Sequence, residues 1–322
     1  MQRIAALFFL ALSLLGANAA HAFEAHPLEG QVVRIEVRDA DWEGASPADI
    51  KLLLEAVATE MLTHFPGRRL DPIIVSRSHE GPVVLFVKGP QNASQVRLAA
   101  SGERWAEYIY EFSHELFHIL ANYQYRAAAR NSQYQWFEEM LCETASLAML
   151  KRFAARWEEA PPHPRWASYG GTLNRFTQRA LNEPHRQLPP GVSFTQWFRE
   201  NGPALRTNPY LRGKNELVAS YFLPLLERNA DWRAFAYLNQ PAVQQPVGFN
   251  DYLLSWQHRT PAPQRTMVAN AMRIFNPDPV GVRTRLLAAA ERFAPAPLAA
   301  APQVPGPAGP SAPRVKEDDP AN

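Results

Sequence analysis

The stretch Trp105-Ala106-Glu107-Tyr108-Ile109-Tyr110-Glu111-Phe112-Ser113-His114-Glu115-Leu116-Phe117-His118-Ile119-Leu120 decides how this chain is read. Trp105, Tyr108, Ile109, Phe112, Leu116, Ile119 and Leu120, with Tyr123 beyond them, recur at three- and four-residue steps and form one apolar helical stripe. His114, His118 and Glu111 fall largely outside it. Positions i and i+4 on a helix differ by about 40° of rotation and one turn of rise, so both imidazoles can reach one metal ion. Glu115 lies beside the pair, able to reach a water on the metal without ligating it. His-Glu-x-x-His therefore predicts two zinc ligands, His114 and His118, and a general base, Glu115. The plain alternative, two histidines on an ordinary amphipathic helix, leaves a carboxylate beside two metal-type imidazoles with no packing purpose.

A third ligand should follow downstream. Trp136-Phe137-Glu138-Glu139-Met140-Leu141-Cys142-Glu143-Thr144-Ala145-Ser146, continued by Leu147 to Leu150, reads as a second helix with an acidic face. A carboxylate from it would complete a His2Glu set and leave a fourth position for water. Glu139 and Glu143 are i and i+4, so one can ligate while the other orients an imidazole from behind. The alternatives are Glu138 or Glu143 as the ligand, and a solvated acidic face with no ligand at all.

With these residues the chain resembles the gluzincin clan of zinc metallopeptidases, which includes thermolysin and the aminopeptidase N type. In that clan the third ligand is a Glu within an Asn-Glu-Gly-like segment, often two or three residues after a Trp. Alignment on Trp136 makes Glu139 the ligand and Glu143 the supporting carboxylate. Nineteen residues separate His118 from Glu138, the thermolysin-type interval, and twenty separate it from Glu139. Glu138 stands where the clan usually has Asn, and Met140 where it usually has Gly. The resemblance covers Trp105 to Met149, extends weakly to Tyr210, and reaches under a quarter of the chain.

The chemistry that follows is hydrolysis with one zinc ion per chain. Zinc lowers the pKa of its bound water toward ~7 and polarises a carbonyl. Glu115 would take the proton of that water and return it to the leaving amine. A further donor should stabilise the oxyanion. Pro209-Tyr210-Leu211-Arg212-Gly213 looks like the Pro-Tyr-x-Lys-Gly segment of the aminopeptidase branch, which nominates Tyr210, with Tyr221, His163 and His185 in reserve. No Gly-x-Met-Glu-Asn segment precedes the zinc-motif helix, which favours an endopeptidase over an aminopeptidase.

The two ends of the chain read differently from its middle. Residues 1–22 have the form of a secretory signal: Arg3, an apolar run from Ile4 to Leu15, and Ala20-His21-Ala22 before Phe23. That run is too short to span a bilayer, so the expectation is a periplasmic or secreted bacterial protein with no transmembrane segment after processing. The single cysteine, Cys142, forbids an internal disulfide and reads as a buried, inert thiol, with zinc ligation as the minor alternative. Residues 294–322 are dominated by Ala and Pro and read as a disordered tail.

Between the ends, the expected fold class is α+β and zincin-like: a small mixed N-terminal sheet with the zinc-motif helix, then a mostly helical C-terminal lobe. The boundaries are 23–135 for the α/β lobe and 136–293 for the helical lobe carrying the third ligand. Strands are predicted at Val32 to Val37, Ile73 to Val75, Val83 to Val87 and Val96 to Ala99, and a helix at Pro47 to Phe65. By the resemblance, Gln95 to Ala99 would be the sheet edge that receives an extended peptide. Trp157, Trp166, Trp197, Trp232 and Trp256 are expected to pack in the core. Thirty-three Lys and Arg balance 31 Asp and Glu for a net charge of +2, with no basic run, so nucleic acid is not a partner. The partner is a peptide or protein substrate. Two rivals stand beside this reading: a zinc hydrolase of a cell-wall amide or other non-peptide bond, and a non-catalytic zinc-binding module of the same fold.

Overall fold

The computed structural model describes residues 33–128, 134–240 and 248–275. The expected signal (1–22) and tail (294–322) lie outside them. The N-terminal part is a four-stranded sheet carrying two helices. Strand β1 (Ile35–Val37) leads into helix α1 (Pro47–Leu62), then β2 (Ile73–Arg77), β3 (Val83–Leu85), β4 (Ser94–Leu98) and α2 (Trp105–Leu120). The chain continues as α3 (Gln135–Arg156), α4 (Gly170–Asn182), α5 (Phe194–Thr207), α6 (Arg212–Arg228), α7 (Phe249–Arg259) and α8 (Arg265–Phe275). This is the expected α+β order, sheet first and helices after.

Local chemistry sets the element ends. Ser46 caps α1, its Oγ accepting from the Asp49 N–H at 3.1 Å, and Pro47 occupies the first turn where no amide hydrogen is needed. Such a cap contributes about 1 kcal/mol. The zinc-motif helix α2 stops at Ala121, and Asn122 follows in the left-handed region with φ +59°. β3 reaches β4 through a turn at Pro90–Asn92, where Gln91 and Asn92 both have positive φ.

The sheet order is β1-β2-β4-β3, with β1, β2 and β4 parallel and β3 antiparallel to β4. This corrects the expected substrate edge. β4 is hydrogen-bonded on both sides, Val75 opposite Val96 and Val96 opposite Val84, so Gln95 to Ala99 is interior. Two strands, β1 and β3, are outermost, and of these β3 carries the exposed Val83 and is followed by exposed Phe86 and Val87. The sequence period placed both strands, but hairpin pairing after a parallel step decided which became outermost.

One hydrophobic core runs from Val33 to Phe275 through both expected lobes, and Trp157, Trp166, Trp197, Trp232 and Trp256 all lie within it. α3 is its axis. Every residue from Met140 to Leu150 is buried, so the helix has no solvated face along that stretch. Where the α/β part meets the helices, His64 stacks on Trp232 with ring centroids 3.9 Å apart and donates from Nδ1 to the Ala230 carbonyl at 2.7 Å. Burial, the largest influence, lowers its pKa.

The sign of the pH effect follows. The unfolded imidazole takes up a proton near its ordinary 6.5, while the folded one resists to lower pH. Stability from His64 is complete above pH 6.5 and declines as pH falls toward the lowered folded value. Chemical denaturation should show this acid loss in the wild type, at most about 1.4 kcal/mol per pH unit, and less of it in His64→Phe.

Candidate metal centre

α2 presents His114 and His118 toward α3, and α3 answers with two adjacent carboxylates. One Glu139 oxygen, Oε2, lies 3.4 Å from His114 Nε2 and 3.5 Å from His118 Nε2. Two ligand atoms on a tetrahedral zinc, each about 2.0–2.2 Å from it, stand about 3.4 Å apart. Glu139 Oε2 therefore stands from each Nε2 at the separation of two ligands on one ion. The two imidazole rings are 5.1 Å apart and turned 67° to each other, so they approach a common point from different directions. His114 and Glu139 retain some exposure, whereas His118 is buried.

Glu138 is turned about 100° around the helix from Glu139 and takes a different task. Its Oε1 meets His118 Nδ1 at 2.6 Å, and its Oε2 accepts from Asn239 Nδ2 at 2.7 Å. A carboxylate on the far nitrogen fixes the tautomer that leaves Nε2 free for a metal. This corrects the expected role of Glu143. Glu143 bonds to neither imidazole among the described residues and instead accepts from the Tyr110 hydroxyl and pairs with Arg186 Nη2 at 2.9 Å. The i+4 relation to Glu139 was read from spacing alone, but the helix turns Glu143 toward the Arg186 side of the cleft.

Cys142 is fully buried, one turn after Glu138, and its sulfur lies within 4.8 Å of a ring nitrogen on each histidine. His114, His118 and Cys142 thus form a group able to hold a metal. Burial pushes the thiol up to about 12, against the attraction of His118. Of the third ligands available, Glu139 is the better matched: its oxygen is already at ligand separation from both Nε2 atoms, and it faces the cleft.

The electrostatics favour an ion here. Burial opposes ionising Glu139, yet His118 and His114 hold its carboxyl well below the usual range. Burial likewise opposes charging the imidazoles, but Glu139 and Glu115 raise His114, and Cys142, Glu139 and Glu138 hold His118 well above its ordinary value. For Glu115 burial wins: its carboxyl is raised despite the two histidines. It is 4% exposed, and the Val84 backbone N–H of β3 donates to it. The outer strand of the sheet therefore lies directly beside the expected base.

These groups open on a cleft of about 470 Å³. His114, Glu115 and Glu139 line it, with Tyr210 and Arg186. Tyr210 is 65% exposed on the loop before α6, and its hydroxyl accepts from Gln135, whose amide also reaches Glu139 at 3.3 Å. The reserve donors are elsewhere. Tyr221 stacks on Phe194, His163 accepts from the Arg165 N–H, and His185 pairs with Glu216. Arg186 was not foreseen. It lies on a short turn after α4, with its guanidinium buried among Glu143, Glu183 and Glu216, and no local pattern marks it.

Compared with known proteins, the chain matches no protein-family model, no curated sequence and no solved structure. Among the described residues, no helix is long and apolar enough to cross a membrane.

Glu138 and Glu143 can be told apart experimentally. Glu138→Ala should weaken zinc binding about 10- to 100-fold in a competition titration with a chelating dye. Glu143→Ala should leave that affinity near wild type but cost about 3 kcal/mol in denaturant unfolding, the lower end for breaking a buried pair, since Glu183 and Glu216 still hold Arg186.

Proposed function

We propose that this chain is an exported zinc-dependent peptidase that cleaves within peptide chains. The observation carrying this reading is the approach of two Nε2 atoms to one Glu139 oxygen beside a buried Glu115, at the wall of an open cleft. His114, His118 and Glu139 would hold the ion, and Glu138 would orient His118. Zinc, when bound, supplies a Lewis acid that polarises the scissile carbonyl and makes water nucleophilic near neutral pH.

The rest falls to the chain's own groups. Glu115, with its carboxyl raised by burial, takes the proton of the attacking water and passes it to the leaving nitrogen. Tyr210 accepts its hydrogen bond from Gln135, so its own proton is available to the carbonyl oxygen as charge develops there. Arg186 has one nitrogen, Nη1, without a hydrogen-bond partner among the described residues, a donor suited to a substrate carbonyl. An extended peptide would add beside β3, which has no further strand on its outer side among the described residues and whose Val84 touches Glu115. The gluzincin resemblance and the signal-like 1–22 segment support the family and the exported setting, and the lack of an upstream Gly-x-Met-Glu-Asn segment supports internal cleavage.

Elemental analysis of the purified protein should find one zinc per chain, lost on Glu139→Ala. Glu115→Gln should retain the zinc and lower hydrolysis of unfolded protein by at least about 100-fold. Absence of zinc from the wild type, or equal turnover by Glu115→Gln, would overturn the reading. Running peptidoglycan fragments in parallel separates a cell-wall amidase from a peptidase.

Cys142 favours one second reading. If its thiolate joins both histidines and Glu139, the site has four protein ligands and no open position, as structural zinc sites do. The cobalt-substituted protein decides: a sulfur-to-cobalt charge-transfer band that vanishes in Cys142→Ser marks the closed, non-catalytic site. The peptidase reading expects no such band.

A further inference from the structure

The cleft is strongly one-sided in charge. Seven of its lining residues are glutamates and two are arginines, so even a dication at the histidines leaves it negative. Most of these carboxylates are already matched. Arg186 is shared by Glu143, Glu183 and Glu216, and Arg212 sits 2.6 Å from Glu216. Glu107 has Arg104 at 3.3 Å, and Glu139 and Glu115 lie against the histidines.

Glu111 differs from all of them. It is one turn before His114, and its Oε2 accepts from the backbone N–H groups of Ala99 and Ala100 at 2.7 and 2.9 Å. Those bonds fix the carboxylate at the end of β4, while among the described residues Oε1 accepts nothing and no cation lies within ion-pair distance. Glu107, Glu111 and Glu115 also follow at i, i+4 and i+8, a like-charge spacing that disfavours the helix and serves no packing need.

A second sign is independent of these carboxylates. Asn215, 5% exposed and lining the same cleft, has an Oδ1 with no hydrogen-bond partner among the described residues, while its Nδ2 is held by the Pro209 carbonyl. A buried acceptor left open calls for a donor from a ligand. Tyr110 and Phe176 supply apolar surface in the same lining, suited to the stem of a long side chain.

We propose that the cleft selects a basic side chain, lysine or arginine, whose cation pairs with Glu111. An acidic partner is disfavoured because the one buried guanidinium is already surrounded by three carboxylates. The inference rests on the peptidase reading for its substrate, but the recognition itself can be measured without turnover.

The test uses the full-length, zinc-loaded Glu115→Gln protein and two blocked hexapeptides, one with a central lysine and one with norleucine in its place. Calorimetry should show the lysine peptide binding about tenfold tighter or more, as expected for a charged hydrogen bond. Adding Glu111→Gln, which keeps an acceptor for Ala99 and Ala100, should abolish the difference. Adding Glu111→Lys instead should turn the preference toward a glutamate peptide. Equal affinities, no binding of either peptide, or a lysine preference that survives Glu111→Gln overturns the inference. Wild-type turnover of the same peptides separates the two claims. Lysine-selective binding with no cleavage by the wild type removes the peptidase and keeps the pocket, and cleavage blind to lysine does the reverse.

Discussion

A stretch of helix with no solvated face must partner each charge it buries, and α3 is such a helix from Met140 to Leu150, with the buried Glu138 just before. Glu138 and Glu143 are both nearly inaccessible, and an isolated carboxylate in that setting would cost several kcal/mol. Each has been given its own counterpart. Glu138 holds His118 and Asn239, and Glu143 holds Tyr110 and Arg186. The smaller polar groups obey the same rule, Thr144 donating to the Met140 carbonyl and Ser146 to the Tyr110 carbonyl. The pairing of α3 with α2 is thus a matter of charge as well as of apolar area.

That constraint organises the cleft. Because Glu138 is spent on His118, the neighbouring Glu139 is the carboxylate left to face both Nε2 atoms. Because Glu143 is spent on Arg186, the far wall gains a rigid guanidinium held among three acids. β3 closes the arrangement from the sheet side, its Val84 amide reaching Glu115. A carboxyl raised by burial, beside groups that attract a cation, is the combination that the proposed general-base role of Glu115 calls for. Glu111, held by the end of β4, extends the same wall with an acceptor that no cation among the described residues neutralises.

The legible parts were those whose physics is local. The apolar stripe from Trp105 to Tyr123 predicted α2, which ends at Leu120, and the helical spacing from Pro47 to Phe65 predicted α1, which ends at Leu62. The pairing of His114 with His118 follows from helical geometry and needed no fold. The choice between Glu138 and Glu139 could only be weighed from sequence, since adjacent residues on a helix differ by a rotation whose meaning depends on where the partner helix lies. Arg186 and Asn239 stand far along the chain from the residues they serve, and no periodicity announces them. The sheet edge was misplaced for a related reason: alternation identifies strands, but not which strand ends up outermost.

The amino-acid sequence alone determined the first two helices, the four strands to within a few residues, the metal-type spacing of His114 and His118 and the presence of a carboxylate helix after them, because each depends on residues a few positions apart. Tertiary structure decided which glutamate meets the imidazoles, which one stands behind them, which strand borders the cleft and which carboxylate has no cation beside it among the described residues. Those outcomes depend on the rotation and depth at which α3 docks against α2, and that docking is a property of the whole core.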